Sequence, residues 1–117
     1  MSNALTIHCD ENGYMSMYDS DRYGFNNPDE EWDKSSIKFL LTGDSFTGGA
    51  CVNRPHDIAS VLRNKTSEGS ITLGYGGNAP LIEYAALREY VDKNVNIENI
   101  VWLFTEGNDV EGLYHEL

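Results

Sequence analysis

Five mostly apolar residues, Ile37-Lys38-Phe39-Leu40-Leu41, run on without alternation and then stop at Thr42-Gly43-Asp44-Ser45. A strand with one wet face would alternate apolar and polar side chains. An unbroken run fits a strand buried on both faces, as in a parallel sheet covered by helices. Gly43 permits a sharp turn where the run ends. Asp44 and Ser45 then stand at the carboxyl end of a central strand, the place where open α/β sheets hold their ligand sites. A serine there presents its hydroxyl from a rigid base.

The pattern recurs downstream. Ser70-Ile71-Thr72-Leu73 reads as a short strand ending in Gly74-Tyr75-Gly76-Gly77-Asn78, and Asn99-Ile100-Val101-Trp102-Leu103-Phe104 as a third buried strand ending in Thr105-Glu106-Gly107-Asn108-Asp109. Residues 55–63 read as a short helix with Pro55 at its first position and Ile58, Val61 and Leu62 on one buried face. Pro80 opens a second helix, to about Asp92, with Leu81, Tyr84, Ala85, Leu87, Arg88 and Val91 as a mostly apolar stripe. Strands alternating with helices imply parallel pairing through right-handed crossovers. The strands near 37–42, 70–74 and 99–104 are therefore expected as parallel neighbours with the first in the middle. Their glycine-bearing loops would converge at one edge and bring Ser45, Gly77 and Asn108 together.

Gly43-Asp44-Ser45-Phe46 resembles the first block of the SGNH (GDSL-type) hydrolases. Leu73-Gly74-Tyr75-Gly76-Gly77-Asn78 resembles the second, and Glu106-Gly107-Asn108-Asp109 the third. A lone Gly-Asp-Ser would occur often by chance; three blocks in the family's order, each at the end of an expected strand, are more specific. The resemblance covers residues 37–113. It implies an α/β fold of three layers, α/β/α, with a flavodoxin-like parallel sheet. It also implies a serine esterase or acyl hydrolase, with an O-acyl (acetyl) group on a carbohydrate as the substrate by analogy. Ser45 would attack the ester carbonyl. The oxyanion would be held by the N–H of Ser45, the N–H of Gly77 and the side-chain amide of Asn108. No metal or organic cofactor is implied.

The family's fourth block, Asp-x-x-His, has no counterpart here. His115 stands three residues after Gly112, not after an aspartate. The expectation is a domain truncated before its last catalytic block, with the base in a longer parent and little activity in these residues alone. The alternative is an SGNH-like module that binds a carbohydrate or a partner and catalyses nothing. A flavodoxin-like nucleotide binder is the weaker third reading. Gly-x-Gly-Gly does not match the dinucleotide fingerprint, and no phosphate loop is visible.

Upstream, residues 5–36 read as an added β-hairpin and a packed loop, and residues 37–117 as the hydrolase-like domain. Met1-Ser2-Asn3-Ala4 resembles a cloning remnant. Leu5, Ile7 and Cys9 alternate with Thr6 and His8, and Tyr14 to Tyr18 is a second β-prone run, with Asn12-Gly13 in the turn between them. His8 is expected on the exposed face. The loop carrying Tyr23, Phe25 and Trp32 is expected to pack down as a connector, with draping over the site as the functional alternative. The acidic residues 29–31 and 33 read as a solvated face. Cys9 and Cys51 make no disulfide framework, and Cys51 reads as a small buried residue.

The formal net charge is −11, which opposes nucleic acid and anionic membrane surfaces. No run approaches a membrane span and no signal peptide is visible, so a soluble chain is expected. The compartment is left open. A three-stranded sheet with an open apolar edge also invites self-association, unless the hairpin covers that edge.

Overall fold

The computed structural model describes residues 1–11, 13–93 and 96–117. Its strands are β1 (Leu5–Cys9), β2 (Ser16–Asp19), β3 (Ser36–Gly43), β4 (Ser70–Thr72) and β5 (Asn96–Leu103). Its helices are α1 (Ile58–Thr66), α2 (Pro80–Tyr90) and α3 (Glu106–Glu116). The architecture is α/β, with a parallel three-stranded sheet and a separate antiparallel hairpin.

The sheet order is β4-β3-β5, and both pairings are parallel. Phe39 pairs with Ser70 on one side and Asn99 on the other. Ile37, Leu40 and Leu41 are essentially inaccessible, as expected for a strand enclosed on both faces. Ile37 and Leu40 form the core with Phe25, Trp32, Ile71 and Leu73, and Leu87, Tyr90, Val91 and Ile97 pack against it.

Both central helices differ from the sequence expectation. α1 begins at Ile58, three residues after Pro55. Asp57 is its N-cap and accepts from the Ser60 N–H at 2.9 Å. The cap satisfies an orphan N–H, which a proline at the first position cannot do, and it sets the start of the helix. α2 does begin at Pro80. However, Leu81, Tyr84, Ala85 and Arg88 are exposed, and the buried row runs through Pro80, Glu83, Leu87 and Tyr90 or Val91. A glutamate occupies the middle of the core-facing stripe.

β5 is the second correction. It reads as a buried strand, yet six of its eight residues are exposed. Its inner edge pairs with β3, and its outer edge has no strand partner among the described residues. The opposite edge, β4, is covered by the loop 20–33 and not by the hairpin. Asn27 Nδ2 donates to Thr72 O at 2.9 Å, and Asn27 Oδ1 accepts from Thr72 N at 2.8 Å, so one side chain takes the place of a neighbouring strand. Glu31 Oε2 accepts from Ser70 N at 3.1 Å.

The loop 20–33 is folded around Asp21, which is inaccessible to solvent. Its carboxylate accepts from the N–H groups of Tyr23 and Phe25, from Asn27 Nδ2 and from Trp32 Nε1, at 2.8–2.9 Å. Tyr23, Phe25 and Trp32 lie with their rings about Tyr90 of α2, at centroid distances of 5.1, 5.1 and 6.1 Å. The acidic run is not a uniformly solvated face. Glu31 is buried and paired to Lys34 at 2.6 Å, while Asp29 and Asp33 clasp Arg22.

The hairpin forms with Leu5 opposite Asp19 and a register shift between Ile7 and Cys9. Its Asn12 lies outside the described residues. Residues 1–4 hydrogen-bond onto the loop: Asn3 N donates to Asp21 O at 2.9 Å, and Ser20 Oγ to Met1 O at 2.6 Å. Cys9 and Cys51 form a disulfide, contrary to the reading of Cys51 as an unpaired core residue. Their Cα atoms are 4.9 Å apart across 42 residues of sequence, a proximity only the tertiary fold creates. No helix among the described residues is long and apolar enough to cross a membrane.

Candidate functional site

Parallel pairing puts the carboxyl ends of all three strands on one edge, and the loops that follow them meet there. Gly43 makes the first approach. A Cβ on it would lie 2.7 Å from Leu103 O and closer still to the Thr47 hydroxyl, so only glycine lets β3 run this close to the end of β5. The turn after Ser45 closes through Gly48 N to Asp44 O and Ala50 N to Ser45 O. Gly48 and Gly74 bring the first and second loops into backbone contact, where a Cβ on Gly48 would meet Gly74 O at 2.7 Å. Gly76 passes near the serine: a Cβ on it would sit 3.9 Å from Ser45 Cβ.

Asp44 joins the first loop to the third. It is 1% exposed, accepts from Phe46 N through Oδ1 at 2.9 Å, and accepts from Asn108 Nδ2 through Oδ2 at 2.8 Å. Asn108 sits in the first turn of α3 and is itself exposed. Its amide carries two N–H donors, of which Asp44 takes one. Asp109 has a local duty. Its Oδ2 accepts from Thr105 N at 2.6 Å, while its own N–H makes an ordinary α-helical bond to Thr105 O. The aspartates of the first and third blocks are thus structural.

Ser45 is half-buried and its hydroxyl makes no hydrogen bond among the described residues. Gly77 is exposed, with φ +84° and open space around it, so a side chain there would be strained by conformation and not by crowding. The first and second loops meet through Gly48 and Gly74, and Asn108 reaches the first loop through Asp44. No histidine hydrogen-bonds Ser45. His56 is exposed, and His115 lies about 10 Å along the α3 axis from Asn108.

Beneath the loops lies Glu83, 1% exposed. Trp102 Nε1 donates to its Oε2 at 2.6 Å, and Thr42 Oγ1 donates to its carbonyl at 3.2 Å, tying α2 to both β5 and β3 just before their loops. Burial pushes its carboxyl up to about 7. The Trp102 hydrogen bond works the other way, and the charges of Asp109, Asp44 and Glu116 add to the rise.

Several contributors carried no usable sequence signal. Asn26 Nδ2 donates to Gly48 O at 3.0 Å, so the loop 20–33 supports the turn that follows Ser45. The disulfide holds Cys51, six residues past Ser45, to the hairpin. An even cysteine count was the only hint of that bond. Two clefts flank the hairpin. The larger, about 680 Å³ and lined by Asp19, Asn27, Asp29 and Arg54 among others, touches none of the three loops. The smaller, about 190 Å³, has Gly74, Tyr75 and Gly76 as one wall. No protein-family model, curated protein or solved structure matches the chain at a significant level.

Proposed function

We propose that the chain carries the site of an SGNH-type ester hydrolase, with Ser45 as nucleophile and the Ser45 N–H, Gly77 N–H and Asn108 amide as oxyanion donors. The substrate class is an O-acyl ester, acetyl on a carbohydrate, and the three-layer flavodoxin-like architecture belongs to the same proposal. The observation that carries the reading is the 2.8 Å bond from Asn108 to Asp44, which links the Gly-Asp-Ser and Gly-Asn-Asp loops across a sheet with β3 at its centre. Acyl transfer needs donors preorganised about a nucleophile held on a rigid turn, and this reading assigns both to these loops. Proton removal is a separate task. No histidine among the described residues hydrogen-bonds Ser45, so in this reading Ser45 is expected to react slowly until a base is provided. The bare edge of β5 is, in this reading, also where the molecule self-associates.

The test is phosphonylation by a fluorophosphonate, read by intact mass with added imidazole as surrogate base. One adduct at Ser45, formed faster as imidazole rises and absent in Ser45→Ala, is the expected result. Asn108→Ala should slow it by about 10²–10³-fold, the usual effect of losing one oxyanion donor. The runner-up is a binding module that keeps the loops for their turn and capping geometry. It is favoured by the unpartnered Ser45 hydroxyl and predicts no adduct at any imidazole concentration.

A further inference from the structure

The smaller cleft lies between the hairpin and the second loop. Thr6, Ile7, His8 and Tyr18 form one wall and Gly74, Tyr75 and Gly76 the other. A Cβ built on Gly76 would sit 3.9 Å from Ser45 Cβ, so this wall of the cleft belongs to the loop that passes near the serine. The hairpin wall is fixed to the segment that follows Ser45. Besides the disulfide, Tyr14 Oη donates to Cys51 O at 3.1 Å, Met17 N to Asn53 Oδ1 at 2.9 Å, and Arg54 Nη2 to Asp19 O at 2.6 Å. An added hairpin with so many ties to one loop is held in register with the site.

We propose that this cleft is a subsite for one neutral sugar ring of the acylated substrate, with Tyr75 and Tyr18 meeting its apolar face and His8 its hydroxyls. The proposal rests on the esterase reading and adds to it where the alcohol portion of the ester sits. A volume of about 190 Å³ is below the roughly 300–1,000 Å³ of pockets that enclose drug-sized ligands, and suits a single ring. A sugar ring offers C–H faces and hydroxyl edges, and the lining matches both: two phenols, an isoleucine, a threonine hydroxyl, an imidazole and glycine backbone. Tyr75 is 49% exposed and Ile7 62%, so apolar surface is held open here instead of being packed away.

His8 gives the second indication. Its Nδ1 is buried without a hydrogen-bond partner among the described residues, while its ring packs edge-on against Tyr18 at 5.6 Å. An imidazole nitrogen left in that condition is an unusual cost in a folded protein, and because it is closed off from solvent a bound hydroxyl would reach it only with a shift of the hairpin wall. Burial also lowers its pKa, which keeps the ring neutral and able both to donate and to accept. The phenol of Tyr18 is pushed up by burial and by neighbouring Tyr75 and Asp21, so it too stays uncharged. A chain with a net charge of −11 repels anions, and the cleft wall holds no acidic side chain to draw a cation.

The test is NMR titration of the whole chain with methyl glycosides of glucose, galactose, mannose and N-acetylglucosamine, watching the Tyr75, Tyr18 and His8 ring signals. At least one glycoside should shift all three rings in a saturable way. Tyr75→Ala should weaken that binding at least tenfold, and Tyr75→Phe should largely keep it. Tyr75 lies on the surface, so its truncation opens no cavity, and the undisturbed remainder of the spectrum checks the fold. If no glycoside moves these rings, or Tyr75→Ala binds as wild type does, the subsite is wrong. Fluorophosphonate labelling of Ser45 is independent of that outcome, so the two readings fail separately.

Discussion

At the scale of single residues, the aspartates of the first and third loops are engaged in the fold. Asp44 and Asp109 are spent on hydrogen bonds that shape the turn and the start of α3, and among the described residues the Ser45 hydroxyl and the second N–H of Asn108 have no partner. Glu83 is the residue whose state depends on solution conditions. Its carboxyl, about 4.5 when unfolded and held near 7 in the fold, binds more protons in the native state than in the unfolded chain. Stability from this group is therefore full below about pH 4.5, falls as pH rises to about 7, and is flat above. Glu83→Gln keeps an acceptor for Trp102 and removes the titration. We expect the variant to gain on wild type between pH 5 and pH 8 by at most about 3 kcal/mol, measured by urea unfolding at each pH. An equal difference at both pH values would mean that Glu83 is ionised throughout.

At the scale of elements, the loop 20–33 acts as a structural piece in its own right, with Asp21 as its pivot. Asp21→Ala would strand two backbone and two side-chain donors, and a buried donor left unpaired costs about 1–3 kcal/mol. The expected loss is at least about 3 kcal/mol in denaturant unfolding, with β4 amides exchanging faster because Asn27 loses its anchor. A variant within 1 kcal/mol of wild type, to order of magnitude, would show that the aromatic cluster alone fixes the loop. The Cys9–Cys51 bond closes a long loop, and the chain-entropy relation gives about 4 kcal/mol for a span of 42 residues. Reductant should lower the melting temperature of wild type and leave a Cys9→Ser/Cys51→Ser variant unmoved; equal shifts in both would remove the disulfide from the account. These elements also mark where the sequence was legible. Strand order could be read because each apolar run ends in a glycine loop and alternates with a helix. The buried face of α2 could not, because a charged residue, Glu83, occupies the core stripe and its partner Trp102 lies on another element. Glu31 looked like a surface acid because the backbone donor it accepts from, Ser70 N, lies on β4. Two cysteines far apart in sequence carry no connectivity until the fold brings them together.

At the scale of the whole molecule, the two edges of the sheet are treated differently. The β4 edge is closed by Asn27 and Glu31, whereas β5 presents an unpaired edge among the described residues. Its composition is that of a strand enclosed on both faces, yet Ile100 is 50% and Trp102 44% exposed. Phe104 beyond it, Ile82 on α2 and Val110 on α3 are exposed as well. Unpaired N–H and C=O groups beside apolar side chains are a template for strand addition, and charge at the edge is the usual defence against it. Glu98 is the single ionisable residue within β5, and it accepts from Ser36 Oγ of β3. The overall charge of −11 opposes association, but salt screens it beyond about 8–10 Å, while apolar contact and strand pairing act at shorter range. We expect the mass from light scattering to rise with protein concentration, and to rise more steeply in high salt as the repulsion is screened. Ile100→Lys, which puts a cation on the exposed strand without opening a cavity, should hold the chain monomeric at concentrations where wild type associates. A wild type that stays monomeric across the range, at low and high salt alike, would show that the β5 edge is not an association surface. Association undiminished by Ile100→Lys would move the contact to the exposed residues of α2 and α3.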